Sequence, residues 1–106
     1  MATDTATSNS MGITNHATGS FTGDGATTTV TLGFTPRVIR VVNATDRITD
    51  EYFEGLAASN VIHTVAAGTR TLDTGGHITI GTTFNGFTIH ADAAINAKLI
   101  VWEAFG

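Results

Sequence analysis

Apolar side chains recur along this chain in short alternating runs, each closed by Gly, Pro, Asn or Asp. Period-two runs of this length predict half-buried strands, because a helix would need a three-to-four-residue repeat over a longer stretch. The most apolar run is Val38-Ile39-Arg40-Val41-Val42, with Gly33 and Pro36 before it and Asn43 after it. Its β-branched side chains are stiff at χ1 and suit a pleated surface. On a strand, Val38 and Val42 point one way and Ile39 and Val41 the other. Both faces are then apolar, so this strand is expected in the middle of the fold, covered on both sides. Arg40 shares the Val38 and Val42 face and needs a carboxylate there if it is buried. The acidic stretch over residues 50–54 follows in hairpin range, and Glu51 is its expected partner in a structural ion pair.

The remaining runs extend the pattern. Residues 27–32 alternate, with Thr28, Val30 and Leu32 on one face. Residues 46–55 read as a strand with Ile48, Asp50 and Tyr52 on one side. A helix capped by Asp46 competes, but Gly55 interrupts it early. Residues 61–65 and 69–72 flank the connection Ala66-Ala67-Gly68, and residues 77–80 alternate cleanly. Phe84-Asn85-Gly86-Phe87 predicts a two-residue type I′ hairpin that returns through residues 87–90. Residues 92–97 are a loop or bulge, and residues 98–105 form a last apolar strand. Seven to nine short strands separated by turn residues predict an all-β fold, a single antiparallel β-sandwich or small barrel.

Residues 1–19 break the pattern. They are mostly Thr, Ser, Asn, Ala and Gly, with only Met11 and Ile13 as apolar bulk beyond the first residue. Two regions follow: an extended N-terminal arm over 1–19 and a β-sandwich body over 20–106. An extended arm of this kind can add its backbone to the exposed strand edge of a partner, since main-chain hydrogen bonds need no particular side chain. Thr7, Met11, Ile13 and His16 are the candidate contacts. Met11 and Ile13 lie two apart and would face the same side of a strand.

Composition narrows the function. Charged residues make up 13% of the chain, about half the usual ~25%, and Thr alone is about a fifth of it. Such a surface suits coverage by other protein, because charge is depleted at interface centres. A homo-oligomer, a trimer first, is therefore expected, with Tyr52, Phe53 and Trp102 as candidate contacts. Net charge is −4, with five basic residues, which excludes a basic footprint for nucleic acid or an anionic membrane. The absence of cysteine excludes a disulfide scaffold, a zinc-thiolate site and a cysteine nucleophile. No apolar run approaches the ~20 residues of a membrane span. The first residues lack the basic and apolar regions of a signal peptide.

Catalytic chemistry finds little to stand on. His16, His63, His77 and His90 fall in four segments with no metal-ligand spacing, and are read as surface or strand-face residues. No metal and no cofactor is expected. No Gly-x-Ser-x-Gly elbow occurs. Gly23-Asp24-Gly25 is a turn, because one Asp cannot supply the six to eight oxygens of a Ca²⁺ site. Asp50, Glu51 and Glu54 are the densest acidic cluster and are expected to neutralise Arg37, Arg40 and Arg47. The chain is not expected to be an enzyme; a small hydrolase is the most distant alternative.

Four segments carry a family resemblance: Gly19-Ser20-Phe21-Thr22-Gly23-Asp24-Gly25, Gly33-Phe34-Thr35-Pro36-Arg37, Val41-Val42-Asn43-Ala44-Thr45-Asp46-Arg47 and Ala66-Ala67-Gly68-Thr69-Arg70-Thr71-Leu72. Together they resemble small virion proteins encoded beside the major capsid protein of tailed bacteriophages, over residues 19–106 and not over the arm. The resemblance implies a capsid decoration (cement) protein, made in the host cytoplasm and placed on the outer surface of the capsid. Its implied partners are the major capsid protein and neighbouring copies of itself, commonly as a homotrimer. Phage tail-fibre and receptor-binding modules share the Gly-Phe-Thr-Pro stretch. A receptor- or glycan-binding module of a virion fibre or tail therefore stays open as the alternative.

Overall fold

Where the sequence alternates, the chain is extended. The computed structural model describes residues 3–5, 15–57 and 59–106. Among them are ten strands and no helix: β1 (Thr3–Thr5), β2 (His16–Thr22), β3 (Thr28–Thr31), β4 (Val38–Asn43), β5 (Ile48–Phe53), β6 (Val61–Thr64), β7 (Arg70–Asp73), β8 (Ile78–Ile80), β9 (Gly86–Ile89) and β10 (Leu99–Phe105). Four form one sheet in the order β1-β3-β9-β8, and six form a second in the order β2-β10-β4-β5-β6-β7. Neighbours are antiparallel throughout, except that β1 runs parallel to β3. The fold is the expected all-β sandwich.

The core lies between the sheets. Val30 of β3 with Phe87 and Ile89 of β9 meets Ile39 and Val41 of β4 with Ile100 and Trp102 of β10, all of them buried. Phe87 and Trp102 touch across the gap edge to face, with ring centroids 5.6 Å apart and planes at 82°. That geometry matches the positive edge of one ring to the negative face of the other. The expected Thr28, Val30 and Leu32 face of β3 is the buried one.

β4 is interior in its sheet, between β10 and β5, but it is not covered on both sides. Ile39 and Val41 are closed off, whereas Val38 and Val42 are half-buried and Arg40 is exposed. A two-layer sandwich covers one face of each sheet, so the outer valines are shielded only by their cross-strand neighbours. β5 is a strand, as the alternation predicts, and the reason is local. The Asn43 side chain accepts the Asp46 N–H and donates to the Asp46 carboxylate, each at 3.0 Å. Arg47 then takes a φ of 60° to complete the turn. Asp46 is thus committed to a hairpin and cannot cap a helix.

Two further expectations need correction. The Asn85-Gly86 pair does not make a two-residue turn. The last pair between β8 and β9 is Ile80 with Phe87, and Gly86 already pairs with Thr31 of β3. Phe84 folds back over Gly81 and Gly86 instead of continuing a strand, which widens the loop. Gly86 lies so close to β3 that a Cβ there would sit 2.1 Å from the Val30 carbonyl oxygen, at a φ of 150°.

The second correction concerns the arm. β2 pairs with β10 over its whole length, from Thr22 opposite Leu99 to His16 opposite Phe105. The body therefore begins at His16, not at residue 20. Thr3–Thr5 lies beside β3 of the same chain. The described parts of residues 1–19 thus cover open edges of this chain's own sheets. An unpaired edge presents a row of N–H and C=O groups, and the chain's own Thr-rich segment satisfies them. Thr7, Met11 and Ile13 lie outside the described residues.

Candidate functional site

Strand registry sorts the outer face of the six-stranded sheet into rows, because residues directly opposite one another share a face. The first row runs His16, Phe105, Val38, Phe53 across β2, β10, β4 and β5. His16 stacks on Phe105, with centroids 4.4 Å apart and planes at 17°. Phe53 remains 42% exposed and Phe105 36%. Beside them the Arg37 guanidinium meets the Glu54 carboxylate at 3.1 Å. Arg37, Val38, Phe53, Glu54, Phe105 and Gly106 enclose a depression of about 350 Å³.

The second row is Thr18, Glu103, Arg40, Glu51, Ile62 and Leu72, across all six strands. At its centre Arg40 donates from Nη1 to Glu103 Oε1 at 2.8 Å, and from Nε and Nη2 to Glu51 Oε2 at 3.3 and 3.2 Å. The expected Arg40–Glu51 pair is therefore present, with Glu103 as a third member. It is a surface pair, since half of the Arg40 side chain is in solvent. Leu72 ends the row on β7, an edge strand, at 57% exposure. The third row is Ser20, Val101, Val42, Thr49, Thr64 and Arg70.

No protein-family model, curated protein or solved structure matches the chain.

The three candidate interface aromatics separate. Trp102 is 3% exposed and belongs to the core, so it is not a subunit contact. It shares the inner phase of β10 with Ile100 and Ala104. Tyr52 also turns inward and packs against the core. Only Phe53 faces outward in the open.

A second constellation forms inside the sandwich. Asp50 is opposite His63 in the β5–β6 pairing, and alternation points both toward the gap between the sheets. Asp50 is buried. Its Oδ1 lies 2.6 Å from His63 Nδ1 and 3.1 Å from His77 Nδ1. His77 comes from the residue before β8, so this contact joins the two sheets. Its backbone is pinned by the His90 N–H, which donates to the His77 carbonyl at 2.9 Å. The far nitrogen, His77 Nε2, stands 3.7 Å from Asp73 Oδ2 at the end of β7. The His63 and His77 rings meet edge to face at 5.3 Å.

Asp50, His63 and His77 line a cavity of about 240 Å³ together with Asp92, Ala93 and Ile95. The Gly23-Asp24-Gly25 turn holds that wall. Gly25 N–H donates to the Ala94 carbonyl, and Ala97 N–H donates to the Gly23 carbonyl. A Cβ on Gly23 would lie 2.1 Å from the Ile95 carbonyl oxygen. The expectation that Asp50, Glu51 and Glu54 all neutralise arginines therefore holds for two of them. Glu51 meets Arg40 and Glu54 meets Arg37, while Asp50 turns inward to the histidines. The expectation of four unrelated histidines is corrected for His63 and His77.

Proposed function

We propose that the chain is a non-enzymatic structural protein of a tailed-bacteriophage particle, a capsid decoration protein that acts by binding. It docks on the outer surface of the shell, across junctions of the major capsid protein, as a homotrimer. The supporting observation is the outer face of the six-stranded sheet. Phe53, Phe105 and Leu72 stand open on it, around an Arg40 held between Glu51 and Glu103. Exposed aromatic and Arg side chains with few unmatched charges are the composition of interface centres and hot spots. Arg40 keeps its partners when water leaves, which lowers the cost of covering it, and the second carboxylate of the trio calls for a donor from the covering surface. A protein that binds only the mature lattice stabilises that lattice by mass action, which is the physical need when packaged DNA loads the shell.

A second reading, glycan capture on a fibre or tail, draws on the depression between Phe53 and Phe105, where apolar rings sit beside the polar Arg37–Glu54 pair. One experiment separates the two. Undecorated shells of the encoding phage are mixed with wild-type protein or with the double variant Phe53→Glu/Phe105→Glu, and bound protein is pelleted. The wild type is expected to co-sediment, and the variant to bind at least about 30-fold more weakly, a loss of about 2 kcal/mol. Equal binding of both proteins would refute docking through this face. Failure of the wild type to bind shells, with binding to host-surface glycans, would favour the second reading.

A further inference from the structure

We propose that Asp50, His63 and His77 form a binding site for one divalent transition-metal ion, with zinc as the best match. The site goes beyond the docking reading and does not depend on it. Two imidazoles and one carboxylate are the donor set that zinc takes readily, at about 2.0–2.2 Å from each donor atom. Here one donor atom from each residue lies within 4.8 Å of the other two. A tetrahedral ion needs its donors about 3.3 Å apart. The separations of 2.6 and 3.1 Å to Asp50 Oδ1 must lengthen by several tenths of an ångström, and the whole set, now within 4.8 Å, must close to that spacing through rotation of the partly buried imidazoles.

The protons also fit. An ionised carboxylate only accepts hydrogen bonds, so each Nδ1 now carries a proton toward Asp50. The ion takes the Nδ1 position, and the single ring proton of each neutral histidine moves through solvent to Nε2. For His77 that N–H faces Asp73 Oδ2 at 3.7 Å. A carboxylate behind a ligating histidine fixes its tautomer and raises its basicity. The fourth coordination position opens into the cavity that Asn43, Asp92 and Ile95 help to line, where a water completes the tetrahedron. Asp50 and His63 belong to the six-stranded sheet and His77 leads into the other, so a bound ion clips the two layers together. An ion that binds only the folded chain stabilises it in proportion to the logarithm of its concentration.

The test uses the full chain, stripped of metal with a chelator and titrated with ZnCl₂ in a calorimeter. A parallel titration with CoCl₂ is followed by visible absorption. One zinc per chain should bind at micromolar concentration, the melting temperature should rise, and Co²⁺ should give the intense d–d bands of a tetrahedral site. Asp50→Asn and His77→Gln should each weaken binding at least about 10-fold, in line with loss of a ligand or its support. His16→Ala, which touches a histidine on the outer face of the sheet, should leave it unchanged. Wild-type protein without stoichiometric zinc binding or tetrahedral Co²⁺ bands would overturn the site, and that readout depends on no variant folding. Binding that survives His77→Gln but is lost in His16→Ala would overturn it equally.

Discussion

Asp50 and Glu51 are neighbours in β5, yet they face opposite worlds. Glu51 lies on the outer face, where Arg40 reaches it with half of its own side chain in water. Asp50 lies inside the sandwich, 3% exposed, and one of its oxygens serves two imidazoles. The contacts look alike on paper, and their energetic meanings differ. An exposed ion pair contributes about 0–1 kcal/mol, because water screens it and ordering long side chains costs entropy. Removing one member of a buried polar network leaves the others unsatisfied and costs about 3–5 kcal/mol. One face of the large sheet therefore holds the fold together, while the charges on its other face add little to stability.

Substitutions that act on one side of the sheet alone test this division. The largest effects belong inside. Asp50→Ala should lower unfolding free energy by about 3–5 kcal/mol in urea titrations of metal-free protein; a loss below about 1 kcal/mol would mean that the inner network is not structural. Phe87→Ala should cost a similar about 3–5 kcal/mol through the cavity it leaves against Trp102, whereas Phe53→Ala on the outer face should stay within about 0.5 kcal/mol of wild type. Equal losses at the two phenylalanines would erase the distinction. Gly23→Ala should cost about 1–3 kcal/mol by pushing on the Ile95 carbonyl. It should also distort the cavity wall, read as chemical-shift changes at residues 92–97 and not on the outer face. The smallest effect is Arg40→Met, expected to change stability by less than about 1 kcal/mol while weakening attachment to shells. A large drop in stability would show that the outer trio is part of the structural frame.

Much of the fold was legible because period-two alternation is a local property. It grouped Thr28, Val30 and Leu32 on one face of β3, and made β5 a strand with Ile48, Asp50 and Tyr52 on one side, without saying that this side is the inner one. The misjudged elements are those decided by distant chain. Nothing near Val38 or Val42 says whether a third layer covers them, and in a two-layer sandwich none does. The Asn85-Gly86 turn signal was overridden by the packing of Phe84 and by the pairing of Gly86 with β3. Arg40 found Glu51 because the two sit in one hairpin, while Glu103, 63 residues further on, arrives through the β4–β10 pairing. The inner cluster had one readable signal: an inward Asp50 on an apolar face requires a partner, and His63 is the inward polar residue of the next strand. His77 could not be found that way, because it comes from the opposite sheet.

The proposed division of the large sheet into a structural inner face and a docking outer face can be read directly by hydroxyl-radical footprinting, comparing free protein with protein bound to shells. Binding is expected to protect Phe53, Phe105, Val38 and Leu72, and to leave the buried Phe87 and Trp102 unchanged. Full reactivity of those four outer side chains in the bound state, with protection confined to the four-stranded sheet, would contradict it.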